Sequence, residues 1–158
     1  MDNYDSLKKW ISLAKEMGYD QAKSCKISSL VPLQSMRDMC TPKACPSYGK
    51  NWGCAEAVGS LETCKERINS YQKAIILQTV GELEDQFDWE AIGETALLHK
   101  KRFLELSDAI RSEHPGALCL GAGGCDICNP CRYPKPCAHP DRAVDSMSAY
   151  GIFRHRSL

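Results

Sequence analysis

The sequence predicts an α/β fold: a small sheet of about three or more strands flanked by helices, with two cysteine-rich metal loops at one end. Three observations lead there. Strand-like and helix-like segments alternate along the chain, which favours a layered α/β arrangement over a bundle or a barrel. Two stretches, 39–59 and 121–137, hold seven of the ten cysteines among Gly and Pro and keep neither a helical nor a strand period. A length of 158 residues with 43% hydrophobic content suits one domain over 1–158 with a real core.

Leu7, Trp10, Ile11, Ala14 and Met17 recur at helical spacing between Asp5 and Gly18 and predict an amphipathic first helix. Ala22 to Val31 reads as a half-exposed strand that Pro32 ends. Ser60 is placed to cap a helix running to about Ser70, and Ala74 to Val80 reads as a buried central strand. Asp88 is placed to cap a long helix from Trp89 to about Glu113, with Ile92, Ala96, Leu97, Phe103, Leu104, Leu106 and Ile110 as its apolar face. Pro115 and Gly116 stop it, and Ala117 to Leu120 reads as a short strand feeding the second loop.

Twenty basic residues balance twenty acidic ones, so the charge gives no support to a nucleic-acid or membrane-surface partner. Met1 to Trp10 carries Asp2, Asp5, Lys8 and Lys9 without an apolar signal core, and no run approaches membrane-spanning length. The expectation is a cytoplasmic chain with no membrane partner. Ten cysteines in such a reducing compartment read as metal ligands or redox groups, and an oxygen-sensitive centre suits an anaerobic setting. Phosphate-loop, serine-elbow and zinc-protease motifs are missing from the sequence, which leaves nucleotide hydrolysis, acyl transfer and zinc proteolysis without support.

The second loop offers Cys125, Cys128, Cys131 and Cys137, spaced C-x2-C-x2-C-x5-C behind Gly121, Gly123 and Gly124. Three cysteines at two-residue intervals suit corners of one iron–sulfur cube, whereas zinc sites favour two separated pairs. Cys137 either completes that cube or reaches a second centre. Pro130, Pro134 and Pro136 stiffen the loop, and Arg132 and Lys135 add positive charge beside an anionic centre or are simply solvated. The first loop offers Cys40, Cys45 and Cys54, with Tyr48 and Trp52 as shields of a metal or as ordinary packing. Cys64 shares a helical face with Leu61, Ile68 and Tyr71 and reads as core; Cys25 and Cys119 lie in strand-like segments and read the same way. Cys64, Cys119 and His139 remain the candidates for a fourth ligand to the first loop. Without one, an iron there keeps an open position and can act as a Lewis acid.

The blocks Cys40-x4-Cys45-x2-Tyr48-Gly49-x2-Trp52-x-Cys54, Leu120-Gly121-Ala122-Gly123-x-Cys125-x2-Cys128-x2-Cys131-x5-Cys137 and Ser146-Met147-x-Ala149-Tyr150-Gly151-Ile152 together resemble a known family. It comprises small cysteine-rich predicted metal-binding proteins of unknown function from anaerobic bacteria and archaea. The resemblance runs from about residue 20 to residue 152 and implies that these seven cysteines are the metal ligands. Two departures stand out: Cys54-Ala55-Glu56 replaces the family's Cys-Pro-Pro, and the family usually continues well past the last block, whereas this sequence ends at Leu158.

The leading functional expectation is an iron–sulfur protein with one or two 4Fe-4S clusters that relays low-potential electrons to a redox partner protein. The alternatives are an enzyme that binds a small-molecule substrate at an incompletely ligated cluster, and a binding module stapled by zinc.

Overall fold

The computed structural model describes residues 3–152, so Met1 and Asp2 of the stretch read for an export signal lie outside it, as do 153–158. The described residues form a mixed α/β fold, with four strands in two separate two-stranded sheets. The chain divides into two compact units, one of residues up to Lys26 with Lys73–Pro115, the other of Ile27–Gln72 with the described residues from Gly116 onward. Among the described residues, no helix is long and apolar enough to cross a membrane.

In the first unit, helix α1 (Asn3–Glu16) lies against an antiparallel pair, β1 (Gln21–Lys26) and β2 (Lys73–Gln78), in register from Gln21 opposite Gln78 to Lys26 opposite Lys73. Trp10, Ala14, Tyr19, Ala22 and Leu106 form its core, flanked by Ile11, Leu13, Met17, Ile75 and Leu77. The expected stripe of α1 is thus the buried one. β2 is not the buried central strand its Ala-Ile-Ile-Leu run suggests: every residue in it is only half-buried. An apolar run reports hydrophobicity but not how many neighbours a strand has, and β2 is paired along one edge alone.

The long helix α5 (Trp89–Glu113) starts at Asp88, whose carboxylate accepts from the Ala91 amide at 3.1 Å as expected of an N-cap. Only its second half joins the core, through Leu106, Ala109 and Ile110. Ile92 and Leu97, expected on the buried face, are exposed, as is Trp89. Helical period groups residues on one face; it does not supply a partner for that face.

In the second unit, α2 (Gln34–Arg37), α3 (Ala55–Val58) and α4 (Leu61–Asn69) surround a core of Ala55, Val58, Cys64, Ile68, Ala149 and Tyr150. Ser60 caps α4 by accepting from the Thr63 amide at 3.2 Å. The predicted strand Ala22–Val31 stops at Lys26 and turns into a 3-10 segment at Ile27–Ser29. The expected sheet of three or more strands is replaced by a second, parallel pair, β3 (Leu120–Gly121) with β4 (Asp145–Ser146). β4 is two residues long, too short to leave an alternation in the sequence.

Replacing Leu106, 1% exposed, by Ala should lower stability by about 3 kcal/mol, whereas Leu97→Ala, at a position 70% exposed, should stay within about 0.5 kcal/mol of the parent. Denaturant unfolding followed by far-ultraviolet circular dichroism checks both.

Candidate metal centre

The β3–β4 pair holds the two ends of the second cysteine loop side by side, with Leu120 opposite Asp145 and Gly121 opposite Ser146. Amides of Asp145 and Met147 donate to the carbonyls of Cys119 and Gly121 at 3.1 and 3.0 Å. The intervening Ser146 amide points the other way and donates to Gly53 at 2.7 Å, which seats the end of the first loop on the free edge of β4. A side chain at position 53 would lie 2.4 Å from the Val144 carbonyl oxygen, so only glycine fits this approach.

Both loops belong to the second unit, and several contacts join them. Asn51 Oδ1 accepts from the amides of Gly53 at 2.8 Å and Cys125 at 3.3 Å, while its Nδ2 donates to the Cys125 carbonyl at 2.7 Å. Trp52 Nε1 donates to the Lys135 carbonyl at 2.8 Å, and its ring meets Tyr133 edge-on at 4.9 Å. Desolvation and a hydrogen bond to Glu56 push the Tyr133 phenol upward. Glu56, one of the departures from the resembled family, therefore connects to the second loop.

Cys125, Cys128, Cys131 and Cys137 all line one cavity, together with Trp52, Arg132 and His139. In the first loop, Cys40 follows α2, Cys45 closes a turn onto the Thr41 carbonyl at 2.9 Å, and Cys54 stands at the N-cap of α3. The Cys54 thiol makes no capping bond, which leaves it to other partners. It lies 3.2 Å from where a Cβ on Gly124 would be, directly against the second loop. Burial pushes this thiol up to about 11, and the neighbouring Cys45, Cys40 and Cys131 sulfurs and Asp126 add to the effect by like-charge repulsion. Burial also raises Cys40, against the opposing pull of the Arg37 guanidinium.

The three remaining cysteines lie outside the two loops. Cys64 is fully buried in the core of the second unit, with its sulfur 3.8 Å from both the Ala149 carbonyl oxygen and Arg37 Nη1. Cys119 is buried just before β3, and Cys25 lies in β1 of the first unit. None of the ten cysteines is in a disulfide.

Donor chemistry therefore fits a thiophilic metal, with seven thiols shared between two joined loops. Among the described residues, however, no group of three or more His, Cys, Asp or Glu side chains is arranged to hold a metal ion as it stands. Ligation of a metal by a thiol requires loss of the thiol proton.

Sequence reasoning passed over Asn51, although Asn two residues before Gly is a turn-forming pattern that could have flagged it. It also passed over Arg37, whose guanidinium donates to the carbonyls of Ala149, Ala55 and Gly59 and ties α2 to α3 and to the 3-10 turn at Ser148–Tyr150. A lone Arg in a short polar helix carries no signal for that role.

A family model described as predicted metal-binding protein (DUF2284) matches residues 23–155 and so takes in both loops. Comparison with curated proteins and with solved structures gave no match. The chain belongs to this family of predicted metal-binding proteins of unknown function.

Proposed function

We propose that the protein is an iron–sulfur protein that carries one or two 4Fe-4S clusters and passes low-potential electrons to a redox partner protein in a reducing, cytoplasmic and anaerobic setting. The observation that carries this reading is the lining of a single cavity by Cys125, Cys128, Cys131 and Cys137, with the Cys54 group adjoining. Three cysteines at two-residue intervals suit a cluster, whose irons spread the thiolates over several corners, better than they suit a single tetrahedral ion, which favours two separated pairs. When bound, such a cluster supplies one-electron chemistry at a potential set by its hydrogen bonds, net charge and solvent exposure. The chain's own part is to hold the thiolates, to place Arg132 beside them as positive charge, and to cover one side with the Trp52 ring.

One observation favours the enzyme alternative. The first loop brings three cysteines, and Cys64, a candidate fourth, is enclosed in the core. A metal held by Cys40, Cys45 and Cys54 alone keeps a position for a small-molecule substrate. Cyanide or a small thiol then perturbs the paramagnetic spectrum of one cluster, whereas the relay reading expects reversible reduction with no such effect.

Protein isolated without oxygen should contain about four to eight iron atoms with acid-labile sulfide, the load of one or two cubanes. Stoichiometric zinc without sulfide would replace this reading by a zinc-stapled binding module. Cys128→Ser should lose metal, while Cys64→Ala should keep it and cost about 1–2 kcal/mol of stability, as removal of a small buried group does; metal analysis and denaturation of both variants test the assignment.

The metal-free protein should lose stability as pH rises from about 9 toward about 11. The sign follows from the folded Cys54 thiol holding its proton more tightly than the unfolded one, so its contribution is full below the ordinary thiol value of 9.0 and gone above about 11. Cys54→Ala should make that decline in denaturation midpoints shallower, leaving the part due to the raised Cys40 and Cys64 thiols.

A further inference from the structure

We infer that Asn51 is a positioning residue that joins the two cysteine loops into one composite centre, so that metal loading of the second loop depends on the first. The inference rests on the reading of the seven loop cysteines as ligands.

The Asn51 side chain spends both ends of its amide on the junction. Its oxygen accepts from Gly53 and Cys125, and its nitrogen donates to the Cys125 carbonyl. One residue therefore fixes the backbone of the first ligand of the second loop and the backbone just before Cys54. Gly124 completes the junction, because a Cβ there would lie 3.2 Å from both Asn51 Cγ and Cys54 Sγ. A side chain at position 124 would press on both, so the glycine favours this close approach.

The physical consequence concerns ordering. The second loop runs from β3 to β4 with a ladder of only two residue pairs at its base. Ordering a loop that long for ligation costs conformational entropy, and that cost is subtracted from metal affinity unless another contact has already met it. The clamp on Cys125 is such a contact, and it exists only while 51–54 hold their turn. By linkage, metal in the second loop must also favour the arrangement of the first to the same degree.

The probe is Cd²⁺ titrated into the whole reduced chain without oxygen, with occupancy of each cysteine read as its protection from alkylation by peptide mass spectrometry. Asn51→Leu removes all three hydrogen bonds at similar volume and should weaken protection of Cys125, Cys128, Cys131 and Cys137 by about tenfold or more. Cys40→Ser/Cys45→Ser removes none of those four thiols, yet should weaken their protection as well. Combining the two changes should cost less than the product of the separate effects, since they act through one junction.

Circular dichroism of the metal-free variants separates this role from a merely structural one, which would lower the unfolding midpoint and leave Cd²⁺ affinity of the folded protein unchanged. If Asn51→Leu does not fold, Asn51→Ala carries the test, because it removes the same three hydrogen bonds without placing a branched apolar group at the junction. Second-loop protection at the parental Cd²⁺ concentration in folded Asn51 variants, or in Cys40→Ser/Cys45→Ser, would overturn the inference. Because Cd²⁺ reports thiolate ligation without iron, coupled loading in a protein that lacks iron would remove the cluster reading and leave the junction standing. Independent loading in an iron-bearing protein would do the reverse.

Discussion

Along β4 successive amides face opposite sides, and this two-residue period organises the second unit. Asp145 and Met147 donate to the strand that leads into the second loop, and Ser146 donates to Gly53 at the end of the first. The absence of a side chain at position 53 lets the two backbones meet, since a Cβ would be driven into the Val144 carbonyl. Both cysteine loops depend on this short element, which closes the base of one and seats the other, while Asn51 and Gly124 bring Cys54 against the second loop. A displacement of β4 by one residue would turn the Ser146 amide toward β3 and send its side chains to opposite faces.

The legible parts of the chain are those governed by local chemistry. Ser60 and Asp88 cap their helices because a short polar oxygen ahead of an apolar period has little else to do, and both do so here. The spacing of Cys125, Cys128 and Cys131 was informative for the same reason, since short intervals force proximity whatever the fold. What could not be read depends on partners distant in sequence. β4 has two residues and no pattern; Asn51 acts across to Cys125; α3 is a single turn, which alone would not be stable and is held by the core around Ala55 and Val58. β2 and the first half of α5 failed in the opposite direction, because their hydrophobic pattern was real but the structure leaves much of it uncovered.

The second unit has little regular structure for its size and compensates with polar groups placed among its core residues. Arg37 gathers three carbonyls from two segments, and Tyr150, fully buried, donates to Asp145 at 2.7 Å while accepting from Arg67. Burial and the bond to Asp145 hold the Tyr150 phenol well above its usual range, so it stays a donor throughout neutral conditions. This network reaches β4 directly through Asp145. The strand that carries both loops is thus anchored by this network, in which the Tyr150 hydroxyl, on a fully buried residue, would be left unsatisfied by the loss of its partners.

The two units interleave along the chain, and this bears on the order in which the protein is made. Residues up to Lys26 find their strand partner only after Lys73 has emerged, and the first unit is complete at Pro115, before any cysteine of the second loop has been synthesised. Cys40, Cys45 and Cys54 leave the ribosome much earlier, in a segment whose β4 seat is among the last parts of the described chain to appear. For that interval three thiols are present without the strand that positions them. A nascent chain in this state is most vulnerable to oxidation and to capture of the wrong metal, so the timing of translation, and not the finished fold alone, sets when the first loop needs protection.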